Sequence, residues 1–506
     1  MITLRGDFSP SSHLDQANSI TARLAKKDAS LWGEAARAEA SIRLGWVDLP
    51  EKSRHLLPIL DALVAWSREV GHRRFILCGM GGSSLAPEVM AKSFGKELSV
   101  LDSTDPDQVG ALAAERLSEC CIMIGSKSGS TIETSSHKAL FTELLKAQGL
   151  DPKSHLVIVT DPGSPLDSAA RRDGLRVING DPHVGGRFSA LSAFGLVPAA
   201  LLGIDVSVLL DDAASAAKEF TATNSSAVQL AAFLAAKENS YFGLVDKDSA
   251  IPGIGDWIEQ LVAESTGKDS RGVLPIVVEA ARSTIYPIIG FTPDHPRAVM
   301  GSLGAQFIFW EWVTALLSYL LEVDPFNQPN VTESKERTTA LLQNWENEEI
   351  VRQKPIFETE NLSFFSEERK NSVTEYLAGF ASATDGYLAI MAYLNRQGER
   401  EIVQLREIVE RKSARPTTFG WGPRFLHSTG QFHKGGPLVG SFLQITGEPK
   451  SDLIIPGAGY GFARLVMAQS FGDYQALSAR QLPVLRLHLK KRREGIAEIL
   501  AAAKEL

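Results

Sequence analysis

The chain has 506 residues, a formal net charge of -8, and a composition that is 44% hydrophobic and 22% charged. The length exceeds what one ordinary hydrophobic core holds and predicts two or three domains, while the composition is typical of a soluble globular protein. The negative charge, with no long basic cluster, argues against a nucleic-acid-binding surface. An anionic ligand would therefore have to be held by a local site.

The first residues, MITLRGDFSPSS, contain no apolar signal core, and the three cysteines provide neither a disulfide framework nor paired metal-ligand spacing. We therefore expect a cytoplasmic protein. Residues 300–321 form the most apolar stretch, but polar residues interrupt it, so it predicts a buried core helix and no membrane span.

The elements alternate between helix and strand along most of the chain. Residues 13–70 have amphipathic spacing and predict an N-terminal helical arm. Five apolar strands follow between residues 75 and 203, in the segments FILCGM, LSVLDS, CIMIGS, HLVIVTD and LRVING. Helices are predicted over residues 206–244, and a second α/β region follows with strands near VLPIVVEA, GYLAIMAYL, FLHSTG and LVGSFLQITG. The polar residues 344–372 indicate an inserted surface segment.

This order predicts an α/β fold with two doubly wound, flavodoxin-like parallel sheets, each in an α-β-α sandwich. The predicted domains are an N-terminal helical arm over residues 1–65, a first sheet domain over 66–225, and a second over 226–506. The second domain would include the inserted segment and the C-terminal helices.

Two short turns rich in glycine and hydroxyl groups each follow an apolar strand. The first is GMGGSS, after residues 75–78, and the second is SKSGST, after residues 121–124. Free N–H groups at a helix N-terminus, beside small hydroxyls and one lysine, suit a phosphate monoester. Neither turn has the spacing of a dinucleotide or triphosphate loop. A single turn of this kind is often only a tight connection, but two in adjoining strand–helix units favour phosphate binding.

A candidate acid–base group lies in the segment QLVAESTGKD, where Glu264 follows an apolar helical run and precedes a turn of small residues. A partly desolvated carboxylate there could accept a proton from carbon. Most glutamates are solvated surface groups, so the residue alone does not decide between the two interpretations.

Five segments together resemble, in this order, the motifs of the glucose-6-phosphate isomerase family: GMGGSSLAP, SKSGSTIET, GGRFSALS, QLVAESTGK and DPFNQPNVTESK. The two turns also resemble the sugar-isomerase (SIS) fold, which implies that both sheet domains are of SIS type. The sequence is most similar to the isomerase half of bifunctional transaldolase/phosphoglucose isomerase proteins. The roughly 60 residues before the first sheet are too few for a transaldolase barrel.

The resemblance implies roles for thirteen residues. Glu264 would be the base that moves a proton between the first two sugar carbons, Arg187 would face the enediolate, and His427 and Lys335 would act in ring opening. The implied substrate-binding residues are Gly82, Ser83, Ser126, Lys127, Ser128, Thr131, Gly186, Gln260 and Gln328.

Two features depart from the family pattern. The LHSxGQ segment with His427 follows Lys335, whereas family members place it soon after the glutamate, and His433 is the reserve candidate for ring opening. Asn327, Asn330 and Thr332 also replace the residues usual in the lysine-containing helix motif.

The resulting prediction is reversible interconversion of glucose 6-phosphate and fructose 6-phosphate, a step of glycolysis and gluconeogenesis, through a cis-enediol and with no cofactor or metal. The partner would be a hexose phosphate, with no nucleic acid and no membrane, and the resemblance implies a homodimer. Two alternatives stay open: a phosphosugar isomerase that also accepts mannose 6-phosphate, and a non-catalytic SIS sensor of phosphosugars.

Overall fold

The computed structural model describes residues 1–9, 12–280, 283, 285–344 and 354–506. The chain divides into two compact units. The first comprises Met1–Asp102, Glu115–Pro275 and Glu279–Asn327, and the second comprises Ser103–Ala114, Ile276–Val278 and Gln328–Leu506. The domain limits expected from the sequence, at residues 65 and 225, stay a prediction.

The α-helices of the described residues are α1 (Leu14–Ala25), α2 (Glu34–Arg43), α3 (Leu49–Lys52), α4 (Leu57–Val70), α5 (Leu85–Ser93), α6 (Pro106–Ala113), α7 (Ile132–Ala147), α8 (Pro165–Arg172), α9 (Ala193–Leu201), α10 (Val206–Ala217), α11 (Ser226–Leu234), α12 (Ile254–Thr266), α13 (Leu303–Leu320), α14 (Pro329–Asn344), α15 (Val373–Ser382), α16 (Gln404–Ser413), α17 (Thr429–Gly435), α18 (Phe462–Ser478) and α19 (Arg492–Lys504).

The strands are β1 (Thr3–Arg5), β2 (Arg74–Gly79), β3 (Ser99–Leu101), β4 (Cys120–Gly125), β5 (Leu156–Thr160), β6 (Arg176–Asn179), β7 (Tyr241–Val245), β8 (Leu274–Val277), β9 (Ile288–Gly290), β10 (Ala298–Met300), β11 (Phe357–Glu358), β12 (Leu362–Phe365), β13 (Tyr387–Tyr393), β14 (Thr417–Trp421), β15 (Gly440–Gly447) and β16 (Val484–Leu489).

The first parallel sheet has the order β3-β2-β4-β5-β6. Every pair in it is parallel, and counted along the chain the order is 2-1-3-4-5, which is the flavodoxin-like pattern. Its central strand β4 is wholly buried, because helices cover both faces of such a sheet and leave no side for polar residues. All five strands expected from the apolar segments are present.

The second parallel sheet repeats this pattern with β14-β13-β15-β16, a 2-1-3-4 order. Two antiparallel strands, β12 and β11, extend its edge beyond β16. Mixed α/β architecture with doubly wound parallel sheets is therefore confirmed. The strands β11 and β12 lie in the polar segment 344–372, of which residues 345–353 lie outside the described part, and the interpretation of this segment as an insertion stays a prediction.

Three expectations about secondary structure are wrong. A third sheet, β1-β10-β9-β7-β8, exists besides the two parallel ones, and it takes up the VLPIVVEA strand. The strand β7 begins at Tyr241, inside the segment expected to be helical to residue 244. The segment FLHSTG forms a 3₁₀ turn, Arg424–His427, and the start of α17 instead of a strand.

The apolar stretch at residues 300–321 is confirmed as a core helix, because all of α13 except Tyr319 is buried. In the part of the chain that the structure describes, no helix is both long and apolar enough to span a membrane. The N-terminal arm contains α1 to α4, and its buried residues belong to the same hydrophobic core as α13.

Candidate functional site

The two hydroxyl-rich turns leave neighbouring strands at the same level. In the register of β2 and β4, Gly79 lies opposite Gly125, so the turns start side by side. A Cβ atom built on Gly125 would lie 3.2 Å from the Cβ of Ser83, which places Ser83 against the end of β4. This is the point where the strand order reverses, and ligands of open α/β sheets bind in the crevice at such a point.

The second turn presents several hydroxyls just before α7. The Ser126 hydroxyl donates to Thr131 Oγ1 at 3.0 Å, and the Ser128 and Ser130 hydroxyls lie 3.0 Å apart at the surface. Thr131 precedes the first helical residue but makes no side-chain capping bond to the N–H groups of α7. Backbone donors and hydroxyls are thus concentrated at one helix start, as an anion site requires.

The lysine of this turn is paired inside the protein. Lys127 Nζ donates to Asp161 Oδ2 at 2.6 Å and to the carbonyl oxygen of Asp181 at 3.0 Å. Burial lowers the pKa of Lys127, and the neighbouring Asp161 carboxylate opposes that change. The structure therefore gives the Lys127 charge a carboxylate partner, which the sequence did not indicate.

The first turn also contacts the GGRF segment through the main chain. A Cβ atom on Gly82 would lie 2.0 Å from the carbonyl oxygen of Gly186, a distance that no side chain can occupy. The Ser189 hydroxyl donates to the same Gly186 oxygen at 2.5 Å. Glycine at position 82 is thus required for the close approach of the two turns, and Arg187 follows directly.

Arg187 and Glu264 form a buried ion pair. Arg187 Nη1 lies 3.3 Å from Glu264 Oε1, and the two side chains are only 4% and 7% exposed. Burial lowers the pKa of the Arg187 guanidinium, while the Glu264 carboxylate opposes that change. In a water-poor site a charge pair of this kind interacts far more strongly than at the surface.

Neighbours on α12 fix both members of the pair. The amide of Gln260, one helical turn before Glu264, donates to Glu264 Oε2 at 3.2 Å. Arg187 Nε donates to the Ser265 hydroxyl at 2.8 Å. One short helix therefore holds the carboxylate, a donor to it and the group that orients the guanidinium.

The sequence motifs include the loop at residues 324–327 and Lys268, but they did not indicate that Arg187 and Lys268 both bind this loop. Arg187 Nη2 donates to the carbonyl oxygens of Pro325 and, at 3.1 Å, of Asn327. A second buried cation, Lys268, donates to the carbonyl oxygen of Asp324. The signal that could have found Lys268 is its place at the end of the apolar helix that carries Glu264.

An aromatic cluster lies behind this loop and behind Arg187. Phe188 stacks on Trp46 with ring centroids 5.2 Å apart and contacts Phe326 at 5.7 Å. Phe326 also meets Trp32 edge-on at 5.1 Å. Both tryptophans come from the N-terminal arm, so this arm supports the position of the loop and of Arg187 by packing.

The other site residues expected from the sequence belong to the second unit. Gln328 directly precedes α14, Lys335 lies on α14, and both are exposed. His427 is half-buried at the end of the 3₁₀ turn before α17. The Gln431 side chain receives the Asn330 N–H at 3.1 Å and donates to Asn330 Oδ1 at 2.7 Å. This pair fixes the displaced LHSTGQ segment to the start of the lysine-bearing helix.

The reserve histidine has a different environment. His433 is buried, stacks on Tyr387, and its Nδ1 lies 2.9 Å from the Tyr387 hydroxyl. Burial lowers the pKa of His433 to about 3, with the Lys434 charge contributing. The ring is therefore neutral at physiological pH and has a structural role, whereas His427 keeps some access to solvent.

Known proteins that are similar in sequence to this chain include glucose-6-phosphate isomerases. A glucose-6-phosphate isomerase of Thermus thermophilus is 34% identical over 275 residues, which are 52% of this chain and 64% of that protein. The glucose-6-phosphate isomerase of Campylobacter jejuni is 33% identical over 238 residues, 44% of this chain and 58% of that protein. These relatives confirm the resemblance expected from the motifs. The matched part spans less than two thirds of each relative, and no family model matches the chain.

Solved structures were also similar in part. A hypothetical protein TT0462 from Thermus thermophilus aligns over 100% of this chain and 92% of its own, with 21% identity and a TM-score of 0.46. A glucose-6-phosphate isomerase from Chlamydia trachomatis aligns over 62% of this chain and 75% of its own, with 17% identity and a TM-score of 0.49.

Proposed function

We propose that this protein is an aldose–ketose isomerase that interconverts glucose 6-phosphate and fructose 6-phosphate. The observation that carries the proposal is the buried pair of Glu264 and Arg187, 3.3 Å apart. Arg187 follows Gly186, whose carbonyl oxygen lies against Gly82 of the first hydroxyl-rich turn. The ion pair is therefore connected to that turn by a main-chain contact. Sequence relatives named glucose-6-phosphate isomerase support the same reaction.

In this proposal Glu264 is the base. It removes the proton from C2 of the open-chain aldose, or from C1 of the ketose, and returns it to the neighbouring carbon through a cis-enediol. Arg187 stabilises the negative charge that develops on the enediolate oxygens, and its low exposure makes this interaction strong. The Gln260 amide, bonded to Glu264, and Gln328 would hold sugar hydroxyls.

The phosphate group would bind at the two turns. The hydroxyls of Ser83, Ser126, Ser128 and Thr131 and the N–H groups at the start of α7 supply the donors. Gly82 allows the phosphate turn to lie against the main chain of Gly186 in the arginine turn. Lys127 is paired with the Asp161 carboxylate. We therefore expect the hydroxyl and N–H donors to contribute more to phosphate affinity than the charge of Lys127 does.

Ring opening is assigned to His427, assisted by Lys335. Imidazole can donate or accept a proton near neutral pH, as opening of a cyclic sugar requires. His427 is half-buried and Lys335 is exposed, so neither group is locked in the core. The cytoplasmic location, the homodimer and the absence of a cofactor remain part of this proposal.

The central test is Glu264→Gln, assayed for fructose 6-phosphate formation with and without a chelator. We expect isomerisation to fall by about 10²–10⁴-fold, because a positioned acid–base group is removed, while sugar-phosphate binding measured by calorimetry persists. Glu238→Gln, at an exposed position, is the control. Near-normal turnover of Glu264→Gln would contradict the assignment, and chelator-sensitive activity would contradict the metal-free reaction. Parallel assays with mannose 6-phosphate define the substrate range.

The two histidines provide a matched pair. His427→Gln should lower turnover by about 10²-fold with little change in thermal stability, since it loses a proton-transfer group. His433→Gln should lower thermal stability, because the buried stack on Tyr387 is lost, while the pH profile of turnover is kept. If His433→Gln instead lowered turnover and His427→Gln lowered only thermal stability, ring opening would be assigned to His433.

The homodimer is tested by mixing. Inactive Glu264→Gln and His427→Gln chains are combined after partial unfolding and refolding, and their mass is followed by light scattering. Regained activity in a dimeric fraction would indicate that two chains share one site. A monomeric, fully active parent protein would refute the homodimer.

A further inference from the structure

Lys268, a lysine of the first unit, is only 3% exposed and has no role in the reaction described above. Its ammonium donates to the carbonyl oxygen of Asp324. A buried cation is costly unless opposite charge and hydrogen-bond acceptors surround it, so the groups around Lys268 must account for its burial.

The backbone holds Lys268 in a strained two-residue turn. Lys268 and Arg271 form an antiparallel bridge, with their N–H and carbonyl groups 3.1 and 2.8 Å apart. The two residues between them, Asp269 and Ser270, have φ angles of 54° and 60°, although neither is glycine. Such left-handed conformations are unfavourable for ordinary side chains and persist where the surrounding structure imposes them.

The turn is also anchored to α12. The Thr266 hydroxyl donates to the carbonyl of Val262 at 2.8 Å and receives the N–H of Val273 at 3.1 Å. Since α12 also carries Glu264 and Ser265, hydrogen bonds join the turn that holds Lys268 to the end of the helix that carries the proposed base.

Lys268 and Arg187 bind consecutive carbonyls of the same loop. Lys268 takes that of Asp324, and Arg187 takes those of Pro325 and Asn327. The Asp324 carboxylate receives the N–H of Phe326 at 2.8 Å, which closes the loop on itself. Two buried cations, Arg187 and Lys268, the buried carboxylate of Glu264 and the half-buried carboxylate of Asp324 thus form one cluster.

We propose that Lys268 is a positioning residue for the isomerisation: it holds the 324–327 loop in place for Arg187 and balances the charge around Glu264. This rests on the function proposed above. Without Lys268, two carboxylates would face one guanidinium, which makes a carboxylate harder to ionise and opposes the negative charge of an enediolate.

The electrostatic surroundings support this role. Burial lowers the pKa of the Lys268 ammonium well below the usual lysine value, and the Arg187 charge acts in the same direction. The carboxylates of Asp324, Glu264 and Asp269 oppose that change. These are the titratable groups that face Lys268, and two of them, Glu264 and Asp324, also act on Arg187.

The test compares Lys268→Met with Lys268→Arg, and with Lys247→Met at an exposed position of the same unit. We expect Lys268→Met to lower kcat about 30-fold with KM changed less than about threefold, and to move the acid limb of the pH profile upward by about one unit. Lys268→Arg should restore most of the profile, and Lys247→Met should match the parent.

Asp324→Asn gives the opposite sign and remains informative if Lys268→Met does not fold. Because it removes a negative charge, it should move the acid limb to lower pH. A Lys268→Met or Asp324→Asn profile that superimposes on the parent profile overturns the positioning role, whatever happens to stability. An inactive parent protein would instead overturn the proposed function and this inference with it.

Discussion

The two parallel sheets have the same strand order but opposite surroundings at the point where that order reverses. In the first sheet, the turns after β2 and β4 contain glycine and small hydroxyl residues; the first turn is buried, and the second exposes the hydroxyls of Ser128 and Ser130. In the second sheet, the corresponding end of β15 is covered by the guanidinium of Arg492, which donates to the carbonyl of Gly447 at 3.0 Å.

Ion pairs of Arg492 also fill this end of the second sheet. Arg492 Nη2 lies 2.7 Å from Asp105 Oδ2, and its Nη1 lies 3.4 Å from Glu399 Oε1. Asp105 also caps α6, accepting the N–H groups of Asp107 and Gln108. The comparison teaches that strand order creates a crevice, while the residues of the turns decide whether it stays open to a ligand or is filled by the chain.

The largest expected effect comes from Gly82→Ala in the first sheet. The new Cβ would lie 2.0 Å from a backbone oxygen, so the two turns must separate, and we expect kcat/KM to fall by about 10³-fold because 1 Å displacements at a reacting site are costly. Gly447→Ala is the matched change in the second sheet, where the atoms nearest to the new Cβ are side-chain atoms of Leu394 and Arg492, at 2.9 to 3.1 Å, and not main chain. Equal losses in steady-state assays of the two variants would remove the distinction between the sheets.

Arg492→Met should produce the next largest effect, on stability. Asp105 and Glu399 would lose their buried cation, and we expect the free energy of unfolding to fall by about 3 kcal/mol in urea titrations, with catalytic activity of the folded protein unchanged. Arg493→Met changes an exposed neighbour and should have almost no effect. A large loss of activity in folded Arg492→Met protein would show that the second crevice binds a ligand.

Ser126→Ala tests the open crevice directly. Removing one hydroxyl donor to a phosphate should raise KM for the sugar phosphate about 30-fold with a smaller change in kcat, since hydrogen bonds to charged groups contribute about 2 kcal/mol. Ser441→Ala, in β15 of the second sheet, removes a buried hydroxyl that donates to Phe380 and should leave KM unchanged. An unchanged KM in Ser126→Ala would place the phosphate elsewhere.

The smallest expected effect concerns one buried acid in each unit. Asp473 of the second unit is paired with Lys434 at 2.6 Å, whereas neither carboxyl oxygen of Glu311 has a hydrogen-bond partner among the described residues. Burial raises the pKa of Glu311 well above its usual value, so the folded protein keeps a proton that the unfolded chain releases. Stability contributed by this proton is present below the unfolded pKa of about 4.3 and is lost as pH rises towards the folded pKa.

Glu311→Gln should therefore raise the free energy of unfolding by about 1–2 kcal/mol at pH 8, with a gain that shrinks towards pH 4. Urea titrations of parent and variant across this range measure the difference. A gain independent of pH would show that the carboxyl is ionised in the folded protein. Asp473→Asn is the converse change and should destabilise, because it leaves Lys434 buried without its carboxylate.

The sequence was sufficient for the first parallel sheet, because buried strands appear as continuous apolar runs bounded by turns. In the second parallel sheet it predicted β13 and β15 but missed β14 and β16. The prediction of a strand at FLHSTG was wrong, because Phe425 and Leu426 are buried but belong to a 3₁₀ turn. Apolar residues alone do not distinguish a short strand from a turn in the core. The third sheet was missed because most of its strands have only three residues.

For the site, local motifs identified the turns, Arg187 and Glu264, but not what surrounds them. The partner of Lys268 lies 56 residues further along the chain, and that of Lys127 lies 34 residues away. A single lysine in a turn has the same appearance whether it is solvated or buried. Long-range packing decides which, and it leaves no periodic pattern near the lysine itself.

In the proposed reaction, the contact between Gly82 and Gly186 would also limit the length of the sugar phosphate. Main chain meets main chain there, so no change of rotamer can lengthen or shorten the span from the hydroxyl turns to Arg187. In the proposed reaction, the backbone would therefore set the distance between the bound phosphate and the carbon that loses its proton. A five-carbon sugar phosphate would place its reactive carbons one position short of Glu264, and selection by chain length would need no dedicated side chain.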